Sequence, residues 1–275
     1  MLGVGYSVRP KRISLLPRLA LMTAVRFAKP AHLRDRLPAE PRFHRREGLV
    51  GVSDDLSPAH ILEAYRNGYY PMCHMGPMKW WSPTERAVLA PAETHVPKNV
   101  ARMLRTGKFR VTFDQDFAAV MQGCAQPRSG KTPLTWITPK IMAAFSALHE
   151  AGHAHSVEVW DAAGQLVGGA YGLAVGEVFF GESQFFLAQH ASKAAIAVLH
   201  RHLAEWGFAL RDAKNITPHL ASLGFRTMDR GAFRSLLRVH ATRPGRVGRW
   251  SVDPGLAAAE APGRSGRGSG RSGDA

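Results

Sequence analysis

Apolar and polar positions along the chain alternate between short apolar runs and amphipathic stretches, and the longest apolar tract lies between Leu166 and Phe180. Two runs, Leu166–Ala174 and Val178–Phe180, are separated only by Val175-Gly176, the spacing of a tight hairpin. Neither run alternates with polar residues, so both faces of the sheet they enter are predicted to be covered. Gly168, Gly169, Gly172, Gly176 and Gly181 fall in this tract and mark places where backbone or a ligand comes close. The second run leads into Gly181-Glu182-Ser183, which sets a carboxylate at the mouth of an apolar sheet. That position costs free energy unless something uses or pairs the charge. Capping of the next segment, or a surface Lys partner, is the ordinary alternative.

Elsewhere the pattern predicts helices alternating with strands. Ser57-Pro58 reads as an N-cap with Pro at the first helical position, Ile61, Leu62 and Tyr65 share a face, and Gly68 ends that helix. Tyr69-Tyr70-Pro71 and Lys79-Trp80-Trp81-Ser82-Pro83 form an aromatic-rich loop region. Its tryptophans serve either as a core plug or as a wall for stacking. A helix over Lys98–Gly107 places Lys98, Arg102 and Arg105 on one side, a solvated face or a phosphate-contacting one. Arg110–Phe113 reads as a strand, Phe117–Cys124 as a helix, Ala125–Pro133 as a loop, and Thr138-Pro139 opens a helix to Glu150. Ser156–Trp160 is a strand that turns into the hairpin. After a loop at Phe185–His190 an apolar helix runs from Ala191 to about Trp206. Gly207–Asp212 is a strand that again ends in a carboxylate. Short helices near Thr217–Leu223 and Arg230–Arg238 follow.

Charge changes this picture. The net charge is +15 over 275 residues, but residues 1–50 hold eleven Lys/Arg against three acids and residues 226–250 hold seven Arg against one Asp. Residues 51–225 carry fifteen basic and fourteen acidic residues and are nearly neutral. Basic flanks around a neutral middle suggest a polyanion held at the edges and an uncharged group handled in the centre, nucleic acid before acidic lipid. Plain solubilisation by arginine is the ordinary alternative. Cys73 and Cys124 lie far apart with no metal-type spacing, which fits a reducing cytosol and a cytoplasmic location. His149, His153 and His155 do not reproduce a zinc-ligand spacing, so no metal is read. No apolar run is long enough for a transmembrane helix. The apolar patch Ile13–Leu21 is interrupted by Pro17-Arg18, so a poorly ordered extension is favoured over a signal or transit peptide, with Met22 as an alternative start. Residues 255–275, rich in Gly, Ser, Arg and Ala, are predicted to be disordered.

Two strands end in acids, Glu182 and Asp212, and ligands of α/β sheets sit beyond strand ends. Such a pair suits orienting an amine nucleophile or accepting its proton. There is no Gly-x-Ser-x-Gly elbow, P-loop or dinucleotide fingerprint, which argues against hydrolase, NTPase and dehydrogenase chemistry.

Several segments then come in a telling order. They are Gly48–Ser57, Trp80-Trp81-Ser82-Pro83, Thr135-Trp136-Ile137-Thr138-Pro139, Leu148-His149-Glu150, His153–Trp160, Leu166-Val-Gly-Gly169, Gly181-Glu182-Ser183, Ala191-Ser192-Lys193 and His219–Gly224. Together they resemble the leucyl/phenylalanyl-tRNA–protein transferases over about residues 48–235. The resemblance implies an α+β (α/β-like) fold. A basic extension would cover 1–40, a small N-terminal domain 41–92, a GNAT-like acyltransferase domain with a mixed central sheet 93–250, and a disordered tail 251–275. It implies transfer of Leu or Phe from aminoacyl-tRNA to the α-amine of proteins beginning with Arg or Lys, feeding the N-end rule pathway. It implies a monomer with no membrane partner. No cofactor is implied beyond aminoacyl-tRNA as co-substrate, because the ester is already activated and catalysis can rest on positioning.

Asp212, Glu182 and Lys214 are the candidate catalytic residues. Trp81, Trp136, Gly181, Ser183, Gln184 and Thr217 are candidate substrate-binding residues, Trp136 matching a tryptophan that helps hold the terminal adenosine. Two departures stand out. Arg211-Asp212-Ala213-Lys214 replaces the family's Ile-Asp-Cys-Gln, and a charged Lys cannot accept a hydrogen bond and repels a cationic N-terminus. Lys214 pairs with Asp212 or Glu182, or works as a neutral amine if desolvated. Gln184 stands where the family has Met and makes the amino-acid pocket more polar. Two further readings stay open. One is a tRNA-binding paralogue without turnover. The other is a GNAT-like acyl-CoA transferase, for which Gln189–Ala194 lacks the glycines of a pyrophosphate turn.

Overall fold

The chain's computed structural model describes residues 48–74, 76–94, 96–127 and 135–258. The expected extension over 1–40, the start of the small domain at 41–47, much of the loop 125–133 and the tail from 259 onward lie outside the described residues. In chain order the elements are β1 (Leu49–Val52), α1 (Pro58–Arg66), β2 (Tyr70–Pro71), β3 (Lys79–Trp81), β4 (Glu85–Leu89), α2 (Lys98–Arg105) and β5 (Arg110–Phe113). They continue with α3 (Phe117–Ala125), α4 (Pro139–Glu150), β6 (Ala154–Trp160), β7 (Leu166–Val175) and β8 (Val178–Phe186). The last are α5 (Ala191–Glu205), β9 (Leu210–Asp212), α6 (Pro218–Ser222), β10 (Arg226–Asp229), α7 (Arg230–His240) and α8 (Pro254–Ala258). The helix starts read from sequence hold: Ser57, Asp116, Thr138 and Thr217 each cap the helix that follows with a side-chain oxygen.

Seven strands form one mixed sheet in the order β10-β4-β9-β8-β7-β6-β5, and a small sheet β1-β3-β2 stands beside it. Only β8 and β9 run parallel; the other pairs of the large sheet are antiparallel. Both faces are covered, as the apolar hairpin required. Tyr171, Leu173, Val175, Val178 and Phe180 join α1, α3, α4 and α7 in one core, while Ala174 and Phe179 join α2 and α5 in the other. Helix α5 buries eleven of its fifteen residues, which is why it reads as apolar nearly all round.

The hairpin differs from expectation in two ways. Its turn is Gly176-Glu177, with Gly176 at φ 58° in the left-handed region. Strand β8 does not stop near Phe180 but continues to Phe186, so Glu182 lies inside the strand rather than beyond its end. The reason is a bulge. Gly172 pairs with Gly181 and Tyr171 with Ser183, which leaves Glu182 without a partner. The extra residue changes the parity of the strand. Phe180 and Phe185, five positions apart, both pack on the same core.

Five short strands were not read from the sequence, β1 (Leu49–Val52) among them. The aromatic loop region contains β2 and β3, and both tryptophans are buried, Trp81 donating its Nε1 to the Met72 carbonyl at 2.8 Å. Strands β4 and β10 take one edge of the large sheet. Residues 251–258, expected within the disordered tail, are placed, with α8 over Pro254–Ala258. Arg201 donates to the carbonyls of Leu256 and Ala257 at 3.4 Å, and the Asp253 amide donates to His202 Nε2 at 2.8 Å. Just before it, Trp250 stacks on His155 at 3.6 Å and donates its amide to Asp114 at 2.7 Å.

The close approach at Gly172 is testable. A Cβ there would stand 2.4 Å from the Phe179 ring and 2.5 Å from the Phe180 carbonyl. Gly172→Ala is expected to lower stability by about 1–3 kcal/mol through overpacking, read as a drop in the urea midpoint at unchanged slope.

Candidate active site

Strand β9 is short, and its last residue, Asp212, sits between two neighbours. Across β4 it pairs with Val88, and across β8 with Phe180. Arg86 lies two residues before Val88 on β4 and therefore on the same face. Its guanidinium reaches Asp212 through Nε to Oδ1 at 3.0 Å and Nη2 to Oδ2 at 2.6 Å. Nη1 donates to the Gly68 carbonyl at 2.7 Å, which ties the end of α1 to the sheet. The two side chains are 1% and 0% exposed. Burial works against charge on Arg86, but Asp212 outweighs it and holds the guanidinium above its ordinary value.

Past the end of β9 the chain folds back on itself. Lys214 takes a left-handed conformation at φ 61°, its amide donating to Asp212 Oδ1 at 3.1 Å and its carbonyl accepting from Ala87 N at 3.0 Å. This sends the Lys214 ammonium inward. It donates to the Gly181 carbonyl at 2.9 Å, forms a close ion pair with Glu182, and lies 3.8 Å from Asp212 Oδ2. The rings of Tyr65, Tyr70 and Phe180 face it at 5.4, 5.6 and 5.8 Å. The bulge in β8 presents Glu182 to this centre with its side chain 1% exposed. Burial pushes the Glu182 carboxyl up, against the pull of Lys214, and so favours a group able to hold a proton. The Tyr65 hydroxyl borders Glu182, where burial and that charge push it well up. Burial pushes Tyr70 up to about 12.

The structure thus brings together Glu182, Asp212, Lys214 and Gly181 from the residues picked out by sequence. Of the two pairings left open for Lys214, its close one is with Glu182. Ser183 and Gln184 follow directly on β8, half-buried and paired with Tyr171 and Ala170. Trp136 is half-buried against the same core. Two candidates have other tasks in this structure. Trp81 is a core residue at 7% exposure, and the Thr217 hydroxyl is engaged by the Leu220 amide as a helix cap on an exposed turn. Sequence reasoning missed Arg86, Tyr65 and Tyr70. A signal for Arg86 was present, because it stands alone among apolar residues in Arg86-Ala-Val-Leu-Ala90.

On the opposite face of β9, Arg211 is also buried, and burial pulls its guanidinium down to about 10. Its Nη1 donates to His200 Nε2, its Nε has no hydrogen-bond partner among the described residues, and the Phe225 ring lies 5.2 Å away. Because His200 Nε2 accepts, its Nδ1 carries the proton shared with Thr94 Oγ1 at 2.6 Å, and the ring is neutral. Among the described residues no group of three or more His, Cys, Asp or Glu gathers as a metal site.

A family model described as leucyl/phenylalanyl-tRNA protein transferase matches residues 88–238, and one described as the N-terminal domain of that protein matches residues 54–84. The first span holds Glu182, Asp212 and Lys214, the second holds Tyr65 and Tyr70, and Arg86 lies between them. The chain is similar to the leucyl/phenylalanyl-tRNA–protein transferase of Pseudomonas syringae pv. syringae (strain B728a), 48% identical over 208 residues that cover 75% of this chain and 90% of the relative. To that of Stutzerimonas stutzeri (strain A1501) it is 50% identical over 208 residues, covering 75% and 91%. The solved structure of L-PGS from Bacillus licheniformis overlays with a TM-score of 0.34 at 10% identity, covering 70% of this chain and 66% of that one, a likeness too slight to weigh.

Burial and Arg211 push His200 well below the ordinary 6.5. The unfolded chain takes up this proton near pH 6.5 while the folded one does not, so stability is complete above that pH and falls below it. The slope from one such group is up to about 1.4 kcal/mol per pH unit. Urea midpoints at pH 7.5, 6.5 and 6.0 are expected to fall with acid, and His200→Gln to flatten that dependence.

Proposed function

The chain belongs to the leucyl/phenylalanyl-tRNA–protein transferase family, and we propose that it transfers Leu or Phe from aminoacyl-tRNA to the N-terminal α-amine of a protein. The acceptor nitrogen attacks the ester carbonyl carbon, the new amide C–N bond forms, and the ester C–O bond breaks. The terminal ribose hydroxyl leaves with the proton that the amine gives up. The observation that carries this reading is the buried constellation of Glu182, Lys214, Asp212 and Arg86. Glu182, with its carboxyl pushed up by burial, is suited to take the proton from the amine and return it to the leaving oxygen. Asp212 is locked in one orientation by Arg86 and positions the turn that carries Lys214. Gln184 and Trp136 are the proposed contacts for the amino-acid side chain and the terminal adenosine.

The tRNA has suitable ground on the surface. Lys98, Arg102, Lys108 and Arg110 are exposed along and after α2, and Arg226, Arg238, Arg243, Arg246 and Arg249 are exposed in the basic segment 226–250. No helix among the described residues is long and apolar enough to cross a membrane. The setting proposed is the cytoplasm, with the protein acting as a monomer and its products entering N-end rule degradation. The resemblance implies Arg or Lys at the first acceptor position.

The direct test is transfer of labelled Leu and Phe from charged tRNA to acceptor peptides. Glu182→Gln is expected to lower kcat/KM by about 100-fold with tRNA affinity unchanged. If Glu182→Gln transfers as fast as the parent, Glu182 is not the proton acceptor. Raising salt from 50 to 200 mM is expected to weaken tRNA binding by at least about 100-fold, and Lys98→Ala with Arg102→Ala to reduce the log–log salt slope by about two.

A further inference from the structure

A hollow of about 160 Å³ lies at the turn end of the β7–β8 hairpin, away from the carboxylates of the site. The end of α1, the loop before β6, the hairpin turn and the segment after α7 frame it. Its polar lining is Arg66, His153, Thr242, Arg243 and Arg246, and no acid lines it. Leu62, Ala174, Val175 and Val247 supply apolar wall. Gly176 and Glu182 are six residues apart, which sets the hollow about 20 Å from the reacting centre along the hairpin. On the basis of the transfer reading above, we propose that this hollow is a phosphate-binding subsite, which holds a backbone phosphate of the tRNA at a distance from its reacting end.

Three observations carry this. The frame is formed in advance. The Glu177 amide donates to the His240 carbonyl at 2.9 Å and the Gly248 amide to the Gly152 carbonyl at 3.0 Å, so the segment between is fastened at both ends. The guanidinium groups are also aimed. Arg246 lies over the Trp206 ring at 4.3 Å, and Glu177 steadies Arg243 at 3.0 and 3.2 Å. Side chains held in this way lose less freedom when they meet an anion. They arrive from separate segments, which suits a tetrahedral group with oxygens on several sides better than a planar carboxylate. The charge balance completes the case. Glu177 is already shared by Arg243 and His240, and Glu63 meets Arg66 at 3.5 Å between exposed side chains, an ion pair of little strength. Arg246 makes no ion pair among the described residues, so the hollow keeps a surplus of positive charge. His153 registers it, since burial and Arg66 hold its ring below its ordinary value. A phosphate among these groups accepts forked bonds and offsets the surplus, and the hollow has room for it together with water.

The test uses the full chain with inorganic phosphate, uncharged tRNA, and Leu- and Phe-charged tRNA. The ring signals of His153, identified by their loss in His153→Gln, are expected to shift on adding phosphate and on adding tRNA, with tRNA displacing the phosphate. Arg66→Ala combined with Arg246→Ala is expected to abolish the phosphate response. The same pair is expected to weaken tRNA binding at least about fivefold and to lower the log–log salt slope by about one. Arg66→Lys combined with Arg246→Lys, which keeps the charge, is expected to retain the parent slope. Ring signals that respond to neither phosphate nor tRNA overturn the proposal, as does a parent-like tRNA affinity and slope in the alanine pair. A phosphate response that tRNA fails to displace overturns the tRNA assignment and gives the hollow to a free phosphorylated ligand. A parent protein that binds tRNA through the hollow, yet transfers neither Leu nor Phe to any peptide, overturns the transferase reading and leaves the subsite standing.

Discussion

The buried pair of Arg86 and Asp212 is the interaction on which the rest of the site depends. A carboxylate with no exposure is tolerable only if its oxygens are satisfied, and here Arg86 meets both in a fork geometry while the Lys214 amide adds a third bond. The same guanidinium carries its remaining contact to Gly68, at the end of α1, so one residue joins the large sheet to the segment that supplies Tyr65 and Tyr70. Removing either partner would leave the other charged and buried, a loss of about 3–5 kcal/mol. Replacing both by apolar residues could spare that cost. It would also release the turn at Ala213-Lys214, and with it the inward aim of the lysine. The pair is therefore better understood as fixing geometry than as adding stability.

The bulge in β8 does the complementary task. In a regular strand Phe180 and Phe185 would face opposite sides, and the second would leave the core it now fills beside Gly123. One extra residue reconciles the two phenylalanines and leaves Glu182 outside the ladder, free to be aimed by its side chain's surroundings rather than by pairing. Desolvation of that carboxylate raises its proton affinity, and Lys214 limits the rise. The placement of this carboxylate thus comes from a local irregularity of the strand, not from a loop.

Much of this was legible in the sequence. The helix starts at Ser57 and Thr138 followed from cap chemistry, and the hairpin and the burial of both its faces followed from unbroken apolar runs. Glu182 and Asp212 stood out as charges in apolar company. Arg86 met the same criterion and was passed over, because its strand is five residues long and flanked by turn signals. Strands β2 and β10, of two and four residues, carry too few side chains for a period to show. The bulge left no trace, since pairing register is a property of two strands and neither states it alone. Tyr65 was readable as a core-facing helix residue, and so it is. That its ring also walls a cation seat depends on where Lys214 arrives from, some 150 positions later in the chain.

An aminoacyl ester needs little chemical activation, so the demands on the protein are to exclude water, orient one amine and handle one proton. The site meets the first by packing three aromatic rings and a β-bulge around its charges. On the proposed reading the third falls to Glu182, whose proton affinity is raised by burial. The second demand bears on the charges inside the site. A site with two acids and one arginine would present a net negative charge and draw cations in. Adding Lys214 at a strained left-handed position brings the balance to neutral, and Arg211 behind β9 tips it further. Both residues flank Asp212 in sequence, Lys214 reaching the two carboxylates and Arg211 lying on the opposite face of β9.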